Sequence, residues 1–226
     1  MGSDLSIVNA ARVSFHKESD WEDYEYDRHD GHGPGILSEK DQKLISYLAK
    51  HGHFTPFCHA FLSFRIKAPI FVARQLVKHQ VGLAWNEVSR RYVDDEPEFW
   101  FPDVWRGKPV NAKQGSSDIC KDSDWDMLWI ENYDQYTLLD HLDIVRLQLD
   151  WYNNAIRNGI APEQARMVLP QNTMTEWIWS GSLAAFARVC KLRLDPHAQE
   201  ETRQVAQQIN DLVPRELSHS WKALMT

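Results

Sequence analysis

The chain has 226 residues, 43% of them hydrophobic. That is enough apolar material for one sizeable core, so a single domain over residues 1–226 is expected. A formal net charge of -7 excludes a long polyanion as the main partner. Three cysteines (Cys58, Cys120, Cys190) without a C-x-x-C exclude a disulfide framework and a zinc knuckle. With neither an eighteen-residue apolar run nor a basic-then-apolar leader, the expectation is a cytoplasmic protein with no membrane or nucleic-acid-polymer partner.

Taken in chain order, residues 4–15 read as a short helix or the start of a strand. Residues 16–37, rich in Asp, Glu, His and Gly, read as a surface loop or insertion. Ser38 with Asp41 three residues on predicts an N-cap, Leu44, Ile45 and Leu48 predict a helix, and Gly52 predicts its stop. His51, His53 and His59 raise a metal site, but they lack the i, i+4 pairing of a helical zinc site and Pro56 interrupts them; no metal is expected. From Ala60 to Lys67 apolar and polar residues alternate, which predicts a half-buried strand.

Pro69 suits a helix start, with Ile70, Ala73 and Val77 in one row and Arg74 and Lys78 on another face. The chain then reaches Gly82 and a predicted loop presenting Asn86 to Arg91. Residues 93–126 read as an irregular acidic excursion. Leu138, Leu142, Val145 and Leu149 predict one or two long helices over about 125–158. Pro162 to Pro170 predicts a further helix, and Met174 to Trp179 a strand. Ser180 or Ser182 caps a helix whose apolar row is Leu183, Phe186, Ala187 and Cys190. Asp195 and Pro196 open the last long helix, which Val205, Ile209 and Leu212 turn inward.

Charge is unevenly placed. Cys58 to Tyr92 holds six Lys/Arg against one acid, whereas Val93 to Asp150 holds five against fourteen. Guanidinium, amide and hydroxyl groups concentrated over 74–92 on an acidic chain suit a small anion such as a nucleotide.

The same stretch resembles the signature of flavin-dependent thymidylate synthases, R-H-R-x-x-S-x-N-E-x-S-x-R. Here it stands as Lys78-His79-Gln80, then five residues, then Asn86-Glu87-Val88-Ser89-Arg90-Arg91, with Ala84 where a serine is common. Ala-Arg-Val-Ser (11–14), His-x-Thr-Pro-Phe (53–57), Ala-Arg-x-x-Leu-Pro (165–170) and Leu-Arg-x-Asp-x-His-Ala-Gln (192–199) also resemble that family, in the right order. The resemblance implies an α/β (α+β) single domain, a mixed or antiparallel sheet flanked by long helices, assembled as a homotetramer. It implies reductive methylation of dUMP to dTMP, with methylenetetrahydrofolate as carbon donor and FAD reduced by NADPH as hydride source.

Carried over residue by residue, the dUMP contacts are Arg74, Gln75, Glu87, Ser89, Arg90, Arg91, Arg166 and Arg193. Of these, Arg193, Glu87 and Ser89 lie nearest the chemistry. The resemblance places Ser14, His53, Thr55, Lys78, His79, Gln80, Asn86, Glu87, Arg188 and His197 at the FAD. No G-x-G-x-x-G or P-loop occurs, so the flavin would not sit on a Rossmann turn. The competing reading is a catalytically impaired flavin- or nucleotide-binding homologue, marked by Lys78, Gln80 and Ala84. A cysteine-nucleophile synthase lacks its Pro-Cys-His context here. A metal-dependent hydrolase would need His51, His53, His59 and Glu87.

Overall fold

The computed structural model describes residues 2–24, 35–110, 115–117, 126–132 and 135–226. It is a mixed α/β protein with antiparallel sheets. By contacts it divides into two compact units, one made of Met1–Phe64, His79–Trp85 and Ile178–Thr226, the other of Arg65–Lys78 and Asn86–Trp177.

In the first unit α1 (Asp4–Arg12) is opened by a capping box between Ser3 and Ser6, and the helical reading of residues 4–15 prevails over a strand. A 3₁₀ turn, Val13–Phe15, follows. Two short strands, β1 (Asp23–Tyr24) and β2 (Gly35–Ile36), pair antiparallel within the predicted insertion, whose residues 25–34 lie outside the described residues. α2 (Glu39–Lys50) starts where its sequence signals place it, with the Ser38 hydroxyl accepting from the Asp41 amide, and buries Ile45 and Leu48. A 3₁₀ turn, Thr55–Cys58, leads on to β3 (Phe61–Pro69).

The unit closes with α6 (Leu183–Arg193), α7 (Glu200–Asp211) and α8 (Ser218–Met225). α6 packs on α7 and α8, and α8 on α2. Ile7, Ile45, Phe57, Trp179, Leu183, Phe186, Ile209 and Leu217 fill the core. Ser182, not Ser180, caps α6. Asp195 does not cap α7, whose N-cap is Gln199. Its carboxylate instead accepts from the His197 amide at 2.7 Å and closes a turn, which delays the helix by four residues. Leu212, expected inward, lies past the end of α7 and is 65% exposed.

In the second unit α3 (Ile70–Leu76) buries Val72, Ala73 and Leu76. It stops before Lys78, so Arg74 and Lys78 do not share a helical face as the spacing suggested. The expected helix over 125–140 is absent from the described residues there: β5 (Leu128–Asn132) and β6 (Gln135–Leu139) form an antiparallel hairpin. Trp129, Ile130, Tyr136 and Thr137 prefer extended backbone, and the hairpin sets Trp129 against Tyr136 with ring centroids 6.4 Å apart. α4 (His141–Arg157) then starts at an Asp140–Asp143 capping box. Its Tyr152 and Ala155 pack on Ala165 of α5 (Pro162–Ala165), which continues as a 3₁₀ turn, Arg166–Val168. The acidic excursion is tied down at Glu98 and Trp100: Trp100 N donates to Asn172 O at 2.9 Å and Met174 N to Glu98 O at 2.7 Å.

A three-stranded sheet, ordered β3, β7 (Met174–Ser182), β4 (Leu83–Glu87), has residues of every strand in both units. Its antiparallel sense follows from paired hydrogen bonds. In the first unit Leu183 N donates to Ala60 O and Ser182 N to Gly82 O; in the second Ile70 N donates to Thr173 O and Val88 N to Glu176 O. Asn86 and Glu87 therefore sit on a strand rather than in the expected loop, because β7 supplies the partner edge.

Candidate active site

In the first unit, the turn at 79–82 is shaped by glycine. Gly82 has φ 75°, in the left-handed region. Gly181 lets β4 approach closely, since a Cβ there would stand 2.4 Å from Gly82 O. Arg188 reaches from α6 and donates to Val81 O at 2.7 Å. Beside that contact, Arg193 Nε donates to His79 Nε2 at 3.0 Å, joining residues 114 positions apart.

Behind His79 stands Trp179, with ring centroids 6.5 Å apart. Trp179 packs in turn on Trp85 at 5.5 Å and on Phe186 at 5.4 Å. Burial lowers His79 from the ordinary imidazole value, and the charges of Arg193 and Arg188 lower it further. Burial also lowers the Arg193 guanidinium. The structure thus joins two residues that the motifs assigned to different ligands, Arg193 to the nucleotide and His79 to the flavin.

Other predicted flavin residues of this unit line its surface. Ser14 is exposed on the first 3₁₀ turn. His53 and Thr55 are exposed between α2 and β3, where the His53 ring stands edge-on to Tyr47 at 6.0 Å and 6.5 Å from the His51 ring. Gln80 is exposed. His197 is exposed too, its Nδ1 3.0 Å from Asp195. The His197 backbone and ring hydrogen bonds hold the Asp195 carboxyl below its ordinary value.

In the second unit, Glu87 accepts from the Thr175 hydroxyl at 2.8 Å. Ser89 Oγ accepts from Arg91 Nε at 3.0 Å, and the Arg91 guanidinium carbon lies 4.8 Å from the Tyr92 ring centre. Ser89 is therefore a hydrogen-bonding group, and its near partner is not the base a nucleophile would need. Arg90 donates to Asp95 O at 2.8 Å and so holds its own loop. Arg166 donates to Glu163 O at 3.3 Å from an exposed position. Arg74, Lys78 and Asn86 are exposed, and Gln75 is half-buried. The sequence reading missed the ion pair between Arg65 and Glu176 on neighbouring strands; nothing but the registered pairing of β3 with β7 could have revealed it. Among the described residues no group of three or more His, Cys, Asp or Glu is placed to hold a metal ion, and no helix is long and apolar enough to cross a membrane.

A family model described as "Thymidylate synthase complementing protein" matches residues 1–217. The chain belongs to that family. Relatives carrying the name flavin-dependent thymidylate synthase cover nearly all of it. The protein of Thermosipho africanus is 34% identical over 230 residues, covering 100% of this chain and 87% of its own length. That of a Thermus thermophilus strain is 35% identical over 223 residues, covering 99% and 72%. The solved UMP/dUMP methylase PolB of Streptomyces cacaoi, bound with 5-Br dUMP, superimposes with a TM-score of 0.69 at 26% identity. The match covers 98% of this chain and 90% of that one. Membership of the thymidylate synthase complementing family makes the chain a flavin-dependent methyltransferase of nucleotide biosynthesis, and the reading of an impaired homologue is not favoured.

Proposed function

We propose that this chain converts dUMP to dTMP by reductive methylation at C5. Methylenetetrahydrofolate supplies the carbon and FAD reduced by NADPH supplies the hydride. The observation that carries this reading is the family match over 217 of 226 residues.

A phosphate monoester is nearly dianionic at pH 7 and is best held by forked guanidinium donors; Arg91 and Arg166, both exposed, are the residues for it, and Arg90 and Arg74 are the further candidates. Gln75 reads the uracil edge through its amide. Glu87 and Ser89 orient the nucleotide by hydrogen bonds. Arg193 stands at the pyrimidine, where its charge offsets negative charge developing on the ring.

The donor set of the first unit fits a flavin: an exposed Phe54 ring and the rings of Tyr47, His51 and His53 offer flat apolar faces, with the Thr55 hydroxyl beside them. Ser14, His53, Thr55, His79, Gln80, Arg188 and His197 of this unit would hold it, and the resemblance adds Lys78, Asn86 and Glu87. When bound it supplies the hydride, and the protein's residues position the nucleotide and exclude water.

We read the protein as a cytoplasmic homotetramer, with residues 1–226 as its catalytic domain. Self-association is supported by Leu147 and Trp151 of α4, which with Ile160 and Met167 are exposed apolar residues. A cavity of about 440 Å³ lies among Trp151, Asn154, Ala155, Asn158, Ile160, Gln164 and Met167.

The test is the purified protein itself. Loaded with FAD it should be yellow, bleach with NADPH, and form dTMP from dUMP and methylenetetrahydrofolate. UMP is assayed beside dUMP, because the similar PolB is described as a UMP/dUMP methylase. A protein that retains no flavin and forms neither product would end this reading.

A further inference from the structure

We infer that His79 is a positioning residue: a neutral imidazole, protonated on Nδ1, whose Nε2 accepts from Arg193 Nε and fixes the guanidinium that faces the pyrimidine. This rests on the placement of Arg193 at the nucleotide and adds a role for His79 that the flavin motif does not contain.

The geometry allows one hydrogen arrangement. A guanidinium has only donors, so a nitrogen 3.0 Å from Arg193 Nε must be the lone-pair nitrogen of the ring. The ring proton is then on Nδ1. An imidazolium has no lone pair and would be repelled by Arg193. The charged groups facing His79 are Arg193 and Arg188, both cations from α6; β7 contributes the uncharged Trp179. Nothing in that set favours a cationic ring.

Arg193 ends α6, where the next residue, Leu194, already closes the helix. A long side chain at a helix end sweeps many rotamers, and holding it costs entropy. A hydrogen bond through Nε fixes the plane of the fork, which terminal nitrogens alone would leave free to rotate. The acceptor is itself held, because the His79 ring packs on Trp179, whose own ring is gripped by Trp85 and Phe186. Turn, aromatic stack and arginine are thus coupled, and acid releases the coupling by protonating His79. Turnover should therefore fall on the acid side through a single ionisation below the ordinary histidine value of about 6.5.

The test uses the full-length holoenzyme labelled with ¹⁵N-histidine, the His79 signals being assigned by their loss in His79→Gln. At pH 7.5 His79 should show a lone-pair Nε2 and a protonated Nδ1. A Gln carbonyl can replace Nε2 as acceptor and cannot titrate, whereas Phe keeps the ring shape without an acceptor. His79→Phe should lower kcat/KM for dUMP by about tenfold or more, the usual weight of a hydrogen bond to a charged group. His79→Gln should recover most of that loss and abolish the acid limb. An imidazolium or an Nε2–H tautomer at pH 7.5 would overturn the inference, as would equal losses in the Gln and Phe variants. Should the Phe variant fail to fold, the tautomer and the Gln pH profile still decide. Arg193→Ala with unchanged calorimetric dUMP affinity and unchanged turnover would sink the placement of Arg193 instead. It would remove this role for His79 even with the tautomer as stated.

Discussion

Arg12 and Asp41 are joined at the junction of α1 and α2: Arg12 Nε donates to Asp41 Oδ1 at 3.0 Å, while the hydroxyls of Ser19 and Ser38 donate to the same carboxylate at 3.1 and 3.0 Å. Asp41 is 3% exposed. Burial alone would push its carboxyl up, but the hydrogen bonds from Arg12, Ser19 and Ser38 outweigh it and leave the group below its ordinary value. Its folded-state value is thus lower than its unfolded one. The stabilisation is present above the unfolded carboxylate value of about 3.9 and is lost as pH falls through the folded value. Asp41→Ala should cost about 3 kcal/mol by chemical denaturation at pH 7 and flatten the fall in stability below about pH 4. An unchanged acid limb would show that other carboxylates govern it.

A second buried carboxylate ties α1 to α8. Asp4 accepts from the backbone amides of His219 at 3.0 Å and Ser220 at 2.9 Å, capping a helix whose own N-cap, Leu217, has no side-chain acceptor. Asp4→Ala leaves two amides to find other partners and should cost about 1–3 kcal/mol in denaturant midpoint experiments, with Asp4→Asn losing less. Equal losses in both variants would mean that packing, not capping, carries the contact.

Local signals were legible and non-local ones were not. Ser38 and Gly52 bound α2, the alternation over 60–67 is β3, and the row of Leu183, Phe186, Ala187 and Cys190 is the buried side of α6, because each is a pattern within one element. The 128–139 segment misled because Leu138 fits a helical row while its neighbours prefer extended backbone. β4 hid because Ala84, Asn86 and Glu87 are poor strand formers; the edge of β7, some ninety residues on, is what extends them. At the site, the motifs named His79 and Arg193 separately. Their hydrogen bond exists only once the 79–82 turn meets α6, and no spacing rule spans 114 positions.

Gly181 lets the end of that turn and the start of β4 lie close against β7, and its replacement should be costly. A Cβ there would also stand 2.6 Å from Leu83 Cδ2, so the backbone of Gly82 and the side chain of Leu83 must both yield. Gly181→Ala should destabilise by about 1–3 kcal/mol. It should also broaden the His79 imidazole signals, as the 79–82 turn shifts against α6. A variant of native stability with unchanged His79 signals would show that the β4 edge moves without cost.

Cys190 should be chemically silent. It is fully buried on α6, its thiol donates to Ala206 O at 3.6 Å, and burial pushes it up to about 12. At pH 8 only about one molecule in ten thousand would carry the thiolate that reacts. Iodoacetamide should leave Cys190 unmodified in the native protein and label it in guanidinium, as peptide mass mapping can show. Native labelling within minutes would mean that α6 opens locally, and α6 also carries Arg188 and Arg193.

Arg188 separates charge from anchoring at the same turn. It grips Val81 O at 2.7 Å and is one of the two cations holding His79 below its ordinary value. Arg188→Ala removes both effects, so the His79 value should rise toward about 6.5 and the acid limb of activity should move to higher pH. Arg188→Lys keeps the positive charge but not the fork, and should leave the His79 value low while loosening the turn. FAD retention on gel filtration, measured in both variants, gives the third readout. If Lys retains flavin and Ala loses it, charge is what the cofactor needs; if both lose it, the anchored turn is. A His79 value that stays put in Arg188→Ala would leave burial and Arg193 as the whole cause of its depression.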